Sequence, residues 1–509
     1  MVGAGPVGLT TALGLKHYGI PCLVFEDEDR LSTETKAGTT LSRSLEIWRR
    51  FGAHHSVLAR SMRVDEIGDI ERATGESRRP VRLSVLRNET RFPFVVNLPQ
   101  QDMEPALAEA LGGGLHLGHR LVDFSEEGDR VVLRFANGKT LEASFLLGCD
   151  GGRSTVREKL GIPVEGESLP VRYSLIDLDI DLDVANPRDL PYLAYFSDPQ
   201  EWMILVRHPH CWRFLFPIPA DAEEPSAEAL RDKVLSFIGG AAEARIIGKV
   251  VYRVHHRVAA RWRHGRVFLM GDAAHLITPM WALGVNTGLL DCSNLCWRLA
   301  WHLRGWAGDD LLDAYEREQK PVAQLGAGEM AEAARRYAAK ESAAVAKISE
   351  NVWGNACTRA MLGVRLDVEA SGDWSMVKYE SEPAIRPGDR IPDWTLCGPA
   401  GRDLRVHDLT SDAFAALYFT DVRRRPRLPQ DGPALKHCAV SRWDAPLQSG
   451  LRGRALLDPG GAFQARIGCP PETLVLVRPD EHVAAMVPIS EGAAERLYQA
   501  VVGQAPPQV

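Results

Sequence analysis

The chain opens Met-Val-Gly-Ala-Gly-Pro-Val-Gly, so Gly3, Gly5 and Gly8 form a G-x-G-x-x-G turn almost at the first residue. The residues after this turn narrow the fold. "LTTALGLKHYG" carries apolar residues at helical spacing and stops at Gly19, and "PCLVFE" is a short apolar strand ending in Glu26. A glycine turn that opens a helix and leads to a second strand begins a doubly wound α/β sheet. Gly3 permits the tight turn, Gly5 lets a pyrophosphate approach the backbone, and Gly8 lets the helix pack closely on the sheet. The helix N-terminus supplies N–H donors and a positive dipole end for phosphate. Glu26 stands where a carboxylate binds ribose hydroxyls. A dinucleotide site is therefore expected; the bland reading is a glycine turn without a ligand. A central strand of about five or six residues usually precedes such a turn, yet only Met1 and Val2 do so here. The expectation is a recorded start that lies too late. A protein that did begin at Met1 is expected to retain its nucleotide weakly.

At 509 residues the chain has room for two or three domains. A net charge of -7 argues against a nucleic-acid partner. No apolar run is long enough for a membrane helix, and the start has no signal-peptide pattern. The nine cysteines are scattered without a C-x-x-C. Cys292 and Cys296 share a helix face and read as packing rather than as metal ligands. A reducing, cytoplasmic setting is expected.

Two further motifs specify the dinucleotide. "FLLGCDGGRSTVREKLGI" is a strand followed by Asp150, Gly151, Ser154 and Arg157. "GRVFLMGDAAHLITPMWALGVNTG" is a strand followed by Asp272, His275, Pro279, Gly284, Val285 and Asn286, then a long helix. Each apolar strand ends in an acid at its C-terminal edge, where open α/β sheets bind ligands. Capping of the strand-end turns is the plainer role for both acids. The ordered set G-x-G-x-x-G, D-G-x-x-S-x-x-R and G-D-A-A-H resembles the class A flavin-dependent monooxygenases, the para-hydroxybenzoate hydroxylase fold, over roughly residues 1–345. "AGTTLSRSLEIWRRFG", "NLPQQDMEPAL" and "LLDAYEREQKPVA" resemble further family elements.

The resemblance implies a set of cofactor contacts. Arg43 would lie over the flavin nucleotide and Gln100 near the flavin. Asp272 would bind the ribityl and phosphate region of FAD. Asp150, supported by Arg157, would serve both the flavin and the reduced nicotinamide. Beyond Pro279, the backbone of Gly284, Val285 and Asn286 would face the isoalloxazine edge. No second G-x-G-x-x-G is present, so NADPH or NADH would visit transiently. The sequence also departs from the family. Relatives resemble P-x-G-G-x-G where this chain has "PMWALG", so Trp281 and Ala282 replace two glycines. Trp281 would wall the substrate pocket or pack outward.

Residues 170–260 change character to short strands separated by Pro, Asp and Asn turns, an antiparallel sheet. In the family this sheet roofs the pocket. Tyr192, Tyr195, Trp202, Trp212, Phe214 and Phe216 suit a flat aromatic ligand, although for each one alone an ordinary core is the commoner explanation. Arg207 would hold a carboxylate and His208 would take a phenolic proton. The expected fold is α/β, a Rossmann-like FAD-binding domain with an inserted, mostly antiparallel substrate sheet and a C-terminal thioredoxin-like domain. The FAD-binding domain would take 1–72, 98–168 and 262–345, and the substrate sheet 73–97 and 169–261. An Ala-rich helix is expected over 322–350, a helical linker over 346–383 and the tail domain over 384–509. That tail resembles the thioredoxin-like domain of larger aromatic hydroxylases at "LVRPDEHVAAM" but has no C-x-x-C, so a structural or dimerising role, in a homodimer, is expected.

The resemblance implies an FAD-dependent aromatic hydroxylase. NAD(P)H would reduce the flavin, O2 would give a C4a-hydroperoxide, and one oxygen would pass to a phenolic or other electron-rich ring. Two other readings stand beside it. A halogenase is disfavoured because "WRFLFPIP" does not match W-x-W-x-I-P; a reductase acting on an isoprenoid belongs to the same class. A flavin-binding regulatory protein without turnover would rest on the Trp281-Ala282 departure and the short first strand.

Overall fold

The computed structural model describes residues 1–33, 38–72, 74–76, 80–185, 189–198, 202–238, 243–278, 280–327, 384–398, 401–420, 428–442 and 454–507. Pro279 and the 346–383 linker lie outside these residues, as does most of the expected 322–350 helix.

The N-terminal part is built on parallel strands. Val24–Phe25 pairs with Leu115–His116, and Leu146–Gly148 pairs with Val267–Leu269. Val2 bridges the two pairs, parallel to Phe25 on one side and Gly148 on the other. Three residues fill this central slot. Val2 N–H donates to Leu147 O, Cys149 N–H to Val2 O, Gly3 N–H to Phe25 O and Phe25 N–H to Met1 O, at 2.8–3.0 Å. Helix Pro6–His17 leaves the turn and packs on helix Leu283–Leu303, most of whose residues are buried. Cys292 and Cys296 are buried in that contact and free. Among the described residues no helix is long and apolar enough to cross a membrane.

An eight-stranded sheet lies beside this unit. Its order runs from His275–Leu276 through Arg245–Ala259, Val164–Asp179, Trp212–Pro219, Met203–Arg207, Leu193–Ser197 and Glu66–Glu71 to Val81–Arg82. Side chains alternate across it. Ile176, Phe196, Trp212, Phe214 and Phe216 point outward and are buried under helix Ala227–Ile238. Tyr173, Leu175, Ile204, Val206 and Leu215 point inward, into a cluster with Met280 and Leu283 of the flavin-side loop. The expected aromatic lining therefore divides. Trp202 and Tyr195 belong to the inner cluster, whereas Trp212, Phe214 and Phe216 are core of the outer face. The reason is the two-residue period, which allots neighbouring aromatics to different faces.

Residues from 384 onward form a seven-stranded mixed sheet. Phe414–Thr420, Leu435–Ser441 and Ala455–Leu457 run parallel, and Thr473–Val477 and Val483–Pro488 add antiparallel. Helix Ala493–Val502 follows and docks on the N-terminal unit, where Trp301 Nε1 donates to Tyr498 Oη at 2.9 Å.

Candidate functional site

The three glycines of the first turn have different surroundings. A Cβ on Gly3 would stand 2.2 Å from Cys149 O, and Gly3 has φ +98°. A Cβ on Gly8 would stand 2.0 Å from Gly3 O. Those two are required by the protein's own packing. Gly5 is not: its nearest atom would be Glu104 Oε1, at 4.0 Å. Among the described residues, no atom comes closer than this to the space above Gly5. Gly5 is also the N-cap of helix Pro6–His17, and no side chain caps that end. Amide donors, a positive helix end and an open approach suit the pyrophosphate of FAD. Glu26 stands alongside, its Oε2 accepting the Ala4 N–H at 2.6 Å.

The second and third motifs meet on the same sheet edge. Ser154 caps its helix by accepting Arg157 N–H. The Arg157 guanidinium donates to Gly152 O at 2.7 Å and Ala273 O at 2.9 Å, tying the two motif loops together. Asp150 Oδ2 accepts Val156 N–H at 3.0 Å, while its Oδ1 is buried without a hydrogen-bond partner. Burial pushes this carboxyl upward, against the pull of Ser154 and the nearby amides. Asp272 lies on the exposed side of its loop. Beneath it, buried Asp291 accepts from Gly271 N–H and pairs with His275 Nε2, each at 2.9 Å. Gly271 and Gly288 are held to glycine by Val7, which a Cβ on either would meet within 2.8 Å. The orphaned Asp150 oxygen, the open Gly5 and the exposed Asp272 fit a bound FAD.

Helix Leu283–Leu303 starts at the expected flavin edge. Its N-cap, Ala282, has φ 56° and ψ 25°, a left-handed conformation that favours glycine. Trp281 lies in the same short turn, but its side chain is outside the described residues. Gly284 and Val285 are partly exposed and Asn286 is buried. The Asn286 side chain is fully engaged. Its Oδ1 accepts Leu41 N–H at 3.0 Å and the Ser44 hydroxyl at 2.6 Å, and its Nδ2 donates to Thr39 O and Ala282 O. Only the backbone of this residue remains for a ligand. The side chain locks strand Thr39–Thr40 and the start of helix Ser42–Arg50 onto the flavin-side turn. The sequence reading missed this role and missed Asp291, and it contained Glu104 only as the glutamate of "NLPQQDMEPAL", without a task. Glu104 accepts from Ser32 N–H and from Gln100 Nε2, at 2.8 and 2.7 Å, beside Gly5. Gln100 is thus positioned at the turn through Glu104.

Two expected residues have other duties. Arg43 is buried, donating to Glu46 at 3.1 Å, to Glu481 and to Asp480 O at 2.7 Å. Its charge is spent on the C-terminal sheet, which corrects its placement over the flavin nucleotide. Arg207 pairs with Asp183 at 3.1 Å and donates to His208 O. It points away from the inner face, which corrects its role as a carboxylate holder. His208 alternates back inward. It is 1% exposed, and neither ring nitrogen has a hydrogen-bond partner. Its Nε2 stands 3.0 Å from where a Cβ on Gly38 would lie. Burial, then Arg213 and Arg207, hold its imidazole well below the ordinary value, so the ring is neutral.

The charge cluster around Arg43 resembles a metal site only in part. Ligand atoms of Glu46, His407 and Glu481 lie within 4.8 Å of one another. Arg43, Arg50 and Arg390 already neutralise these carboxylates. Burial alone would push the Glu46 carboxyl up, but Arg390, His407 and Arg43 outweigh it and bring it to about 2. A further cation has no charge left to bind.

Residues 1–327 match the family model described as "FAD binding domain". The chain is 31% identical to aklavinone 12-hydroxylase RdmE of Streptomyces purpurascens, over 95% of this chain and 94% of that one. It is 32% identical to a rifampicin monooxygenase of Streptomyces venezuelae, over 64% of this chain and 68% of that one. The solved aklavinone-11 hydroxylase, in a ternary complex with FAD and aklavinone, superposes with a TM-score of 0.81 at 26% identity, over 99% of this chain and 98% of that chain. Together with the open Gly5 turn and the orphaned Asp150 oxygen, these matches place the chain in the FAD binding domain family, as a class A flavin-dependent monooxygenase.

Proposed function

We propose that the protein hydroxylates a phenolic or other electron-rich aromatic ring, using NADPH or NADH and O2. The observation that carries this is the position of the inner face of the eight-stranded sheet. It closes over Met280, Leu283 and the start of helix Leu283–Leu303, the turn that would present backbone N–H groups to a flavin edge. FAD, when bound, supplies the redox chemistry and the activated oxygen. The chain's own residues bind, orient and exclude water. Gly5, Glu26 and the amides of helix Pro6–His17 would hold the pyrophosphate and ribose. Asp272 and Asp150 would take the remaining polar groups, with Gln100 held at the turn by Glu104. Gly284, Val285 and Asn286 would offer backbone groups to the ring. The inner apolar face would exclude water from the reacting oxygen. His208, neutral and unpartnered, is the residue we assign to assist the phenolic proton.

We keep the discontinuous division expected from the sequence as a proposal, with the eight-stranded sheet as the substrate unit; that sheet also takes in Glu66–Glu71 and His275–Leu276, beyond the expected limits of 73–97 and 169–261. A thioredoxin-like tail is supported by the strand order Leu435–Ser441, Phe414–Thr420, Thr473–Val477, Val483–Pro488, with the third strand antiparallel and a helix after the fourth. The eight described cysteines are free, which supports a reducing, cytoplasmic setting. The test is NAD(P)H oxidation in air by the FAD-loaded chain against phenols, with peroxide and product mass measured together. A phenol that speeds oxidation and gains one oxygen atom carries the proposal. Stimulated oxidation that yields only peroxide with every phenol counts against it.

A further inference from the structure

The inner face of the eight-stranded sheet is apolar over most of its area. Tyr173, Leu175, Ile204 and Val206 meet Met280 and Leu283 there, and Tyr173 makes edge contacts with Trp202 and Tyr252 at 5.6 and 5.9 Å. Polar groups gather at one end, beside Gly38. His208 Nε2 and Arg213 Nη1 stand 3.0 and 3.9 Å from where a Cβ on Gly38 would lie. Gly38 leads into Thr39–Thr40, the strand that Asn286 fastens to the flavin-side turn. This polar end is therefore next to the candidate site.

The charges at that end are already matched. Arg213 lies between Trp212 and Phe214, which both face outward, so its own side chain faces inward. It makes a two-pronged pair with Asp177, Nε to Oδ1 and Nη2 to Oδ2, both at 2.8 Å, and both residues are buried. Asp177 likewise lies between outward-facing Ile176 and Leu178. Arg207 is committed to Asp183 on the other face. Neither arginine of the Met203–Pro219 hairpin is free to receive an anion. A carboxylate brought here would be stripped of water and would meet no unpaired cation of that hairpin, because Asp177 already neutralises Arg213. Burying an anion without a partner is costly by several kcal/mol.

We propose that the ring taken under this roof is an uncharged aromatic, a phenol without a carboxylate or other anionic substituent. The inference rests on the hydroxylase reading and narrows its substrate class. Apolar surface provides the affinity, and the polar end provides hydrogen bonds to neutral hydroxyl or carbonyl groups.

The test uses the FAD-loaded full chain and two matched probes, 3-(3-hydroxyphenyl)propionate and its primary amide. Binding is read by perturbation of the flavin absorbance, and turnover by the mass of the product. The amide should bind at least about tenfold tighter than the acid at neutral pH. Asp177→Asn releases Arg213 and should shift the acid-to-amide ratio toward the acid by about tenfold or more. An acid that binds as tightly as its amide, and is hydroxylated, overturns the inference while leaving the hydroxylase reading intact. An unchanged ratio in Asp177→Asn also overturns it. If no neutral or anionic phenol perturbs the flavin or is hydroxylated, the hydroxylase reading fails, and the inference falls with it.

Discussion

The carboxylate of Glu481 is paired with the guanidinium of Arg43, 438 positions away in sequence, and both side chains are 2% exposed. Arg43 is next in sequence to Ser44, whose hydroxyl is held by Asn286 at the flavin-side turn. Glu481 is in a left-handed conformation, φ 66°, at the hairpin between Thr473–Val477 and Val483–Pro488. The tail sheet thus reaches the candidate site through one short helix, Ser42–Arg50. This gives the tail a physical task that needs no thiol chemistry, since it fixes the helix that Asn286 connects to the cofactor loop.

Glu481→Gln should therefore destabilise the protein strongly. It leaves Arg50 buried without its carboxylate and Arg43 with Glu46 alone, a loss of about 3–5 kcal/mol for a broken buried pair. Urea unfolding of the full chain checks this. A loss under about 0.5 kcal/mol would mean that the pair has the weight of a surface salt bridge.

Substitutions at Gly5 and Gly8 should separate binding from folding. Gly8→Ala forces a Cβ to within 2.0 Å of Gly3 O and should prevent the turn from closing, so little folded protein is expected. Gly5→Ala meets no atom of the described residues closer than 4.0 Å and should fold normally, yet lose most FAD affinity because the Cβ occupies the ligand's approach. Circular dichroism and the flavin content of the purified chain read both effects. Equal flavin content in Gly5→Ala and the parent would remove the pyrophosphate from this turn.

Asp272→Ala makes an independent test of the cofactor loop. Asp272 is on the exposed side of its loop, whereas buried Asp291 holds the loop from below through Gly271 N–H and His275. The fold should survive the change, and FAD retention should not. An Asp272→Ala protein that purifies with a full complement of FAD would show that this acid is a turn residue only.

Much of the cofactor unit was legible because each motif is local. A glycine turn, the helix it opens and the acid that ends the next strand are adjacent in sequence, and their spacing carries their geometry. Arg43 failed for the complementary reason. Its partners, Glu481 and Asp480, come from another domain, and nothing within a helix turn of Arg43 signals them. Arg207 and Arg213 illustrate the same limit in the roof. Both lie in one hairpin, but which of them faces inward depends on register, and which is free depends on Asp183 and Asp177 from other segments. The six aromatics were recognised by type but not by face, because a run such as "CWRFLFPIP" does not state which parity is outward.

The buried, neutral His208 makes stability depend on pH. Burial, then Arg213, Arg207 and His210, keep its folded value well below about 6.5, the value an unfolded histidine takes. Protons therefore bind the unfolded chain first. The stabilisation from this site is complete above pH about 6.5 and is lost as pH falls toward the folded value. His208→Gln cannot titrate and should flatten the fall in stability between about pH 6.5 and 5.5 by up to about 1.4 kcal/mol per pH unit. Urea midpoints across that range check it. Parallel profiles for parent and variant would mean that His208 is protonated in the folded state.

Ala282 carries strain where the cofactor ring is expected. A non-glycine residue in the left-handed region costs about 1–2 kcal/mol, and Ala282 holds φ 56° at the N-cap of the longest described helix. Asn286 Nδ2 donates to its carbonyl at 2.7 Å, one of four hydrogen bonds that fix the turn in this shape. Ala282→Gly removes the Cβ while leaving those bonds intact. Glycine gives back part of the gain through its freedom in the unfolded chain, so a net stabilisation of about 0.5–1 kcal/mol is expected. The comparison should be made with and without FAD. An equal gain in both means that the strain is a fixed property of the turn. A gain confined to the FAD-free protein means that binding relieves it, and the alanine then raises the affinity for FAD relative to glycine. A variant destabilised in both states would show that the Cβ contributes packing that outweighs its backbone cost.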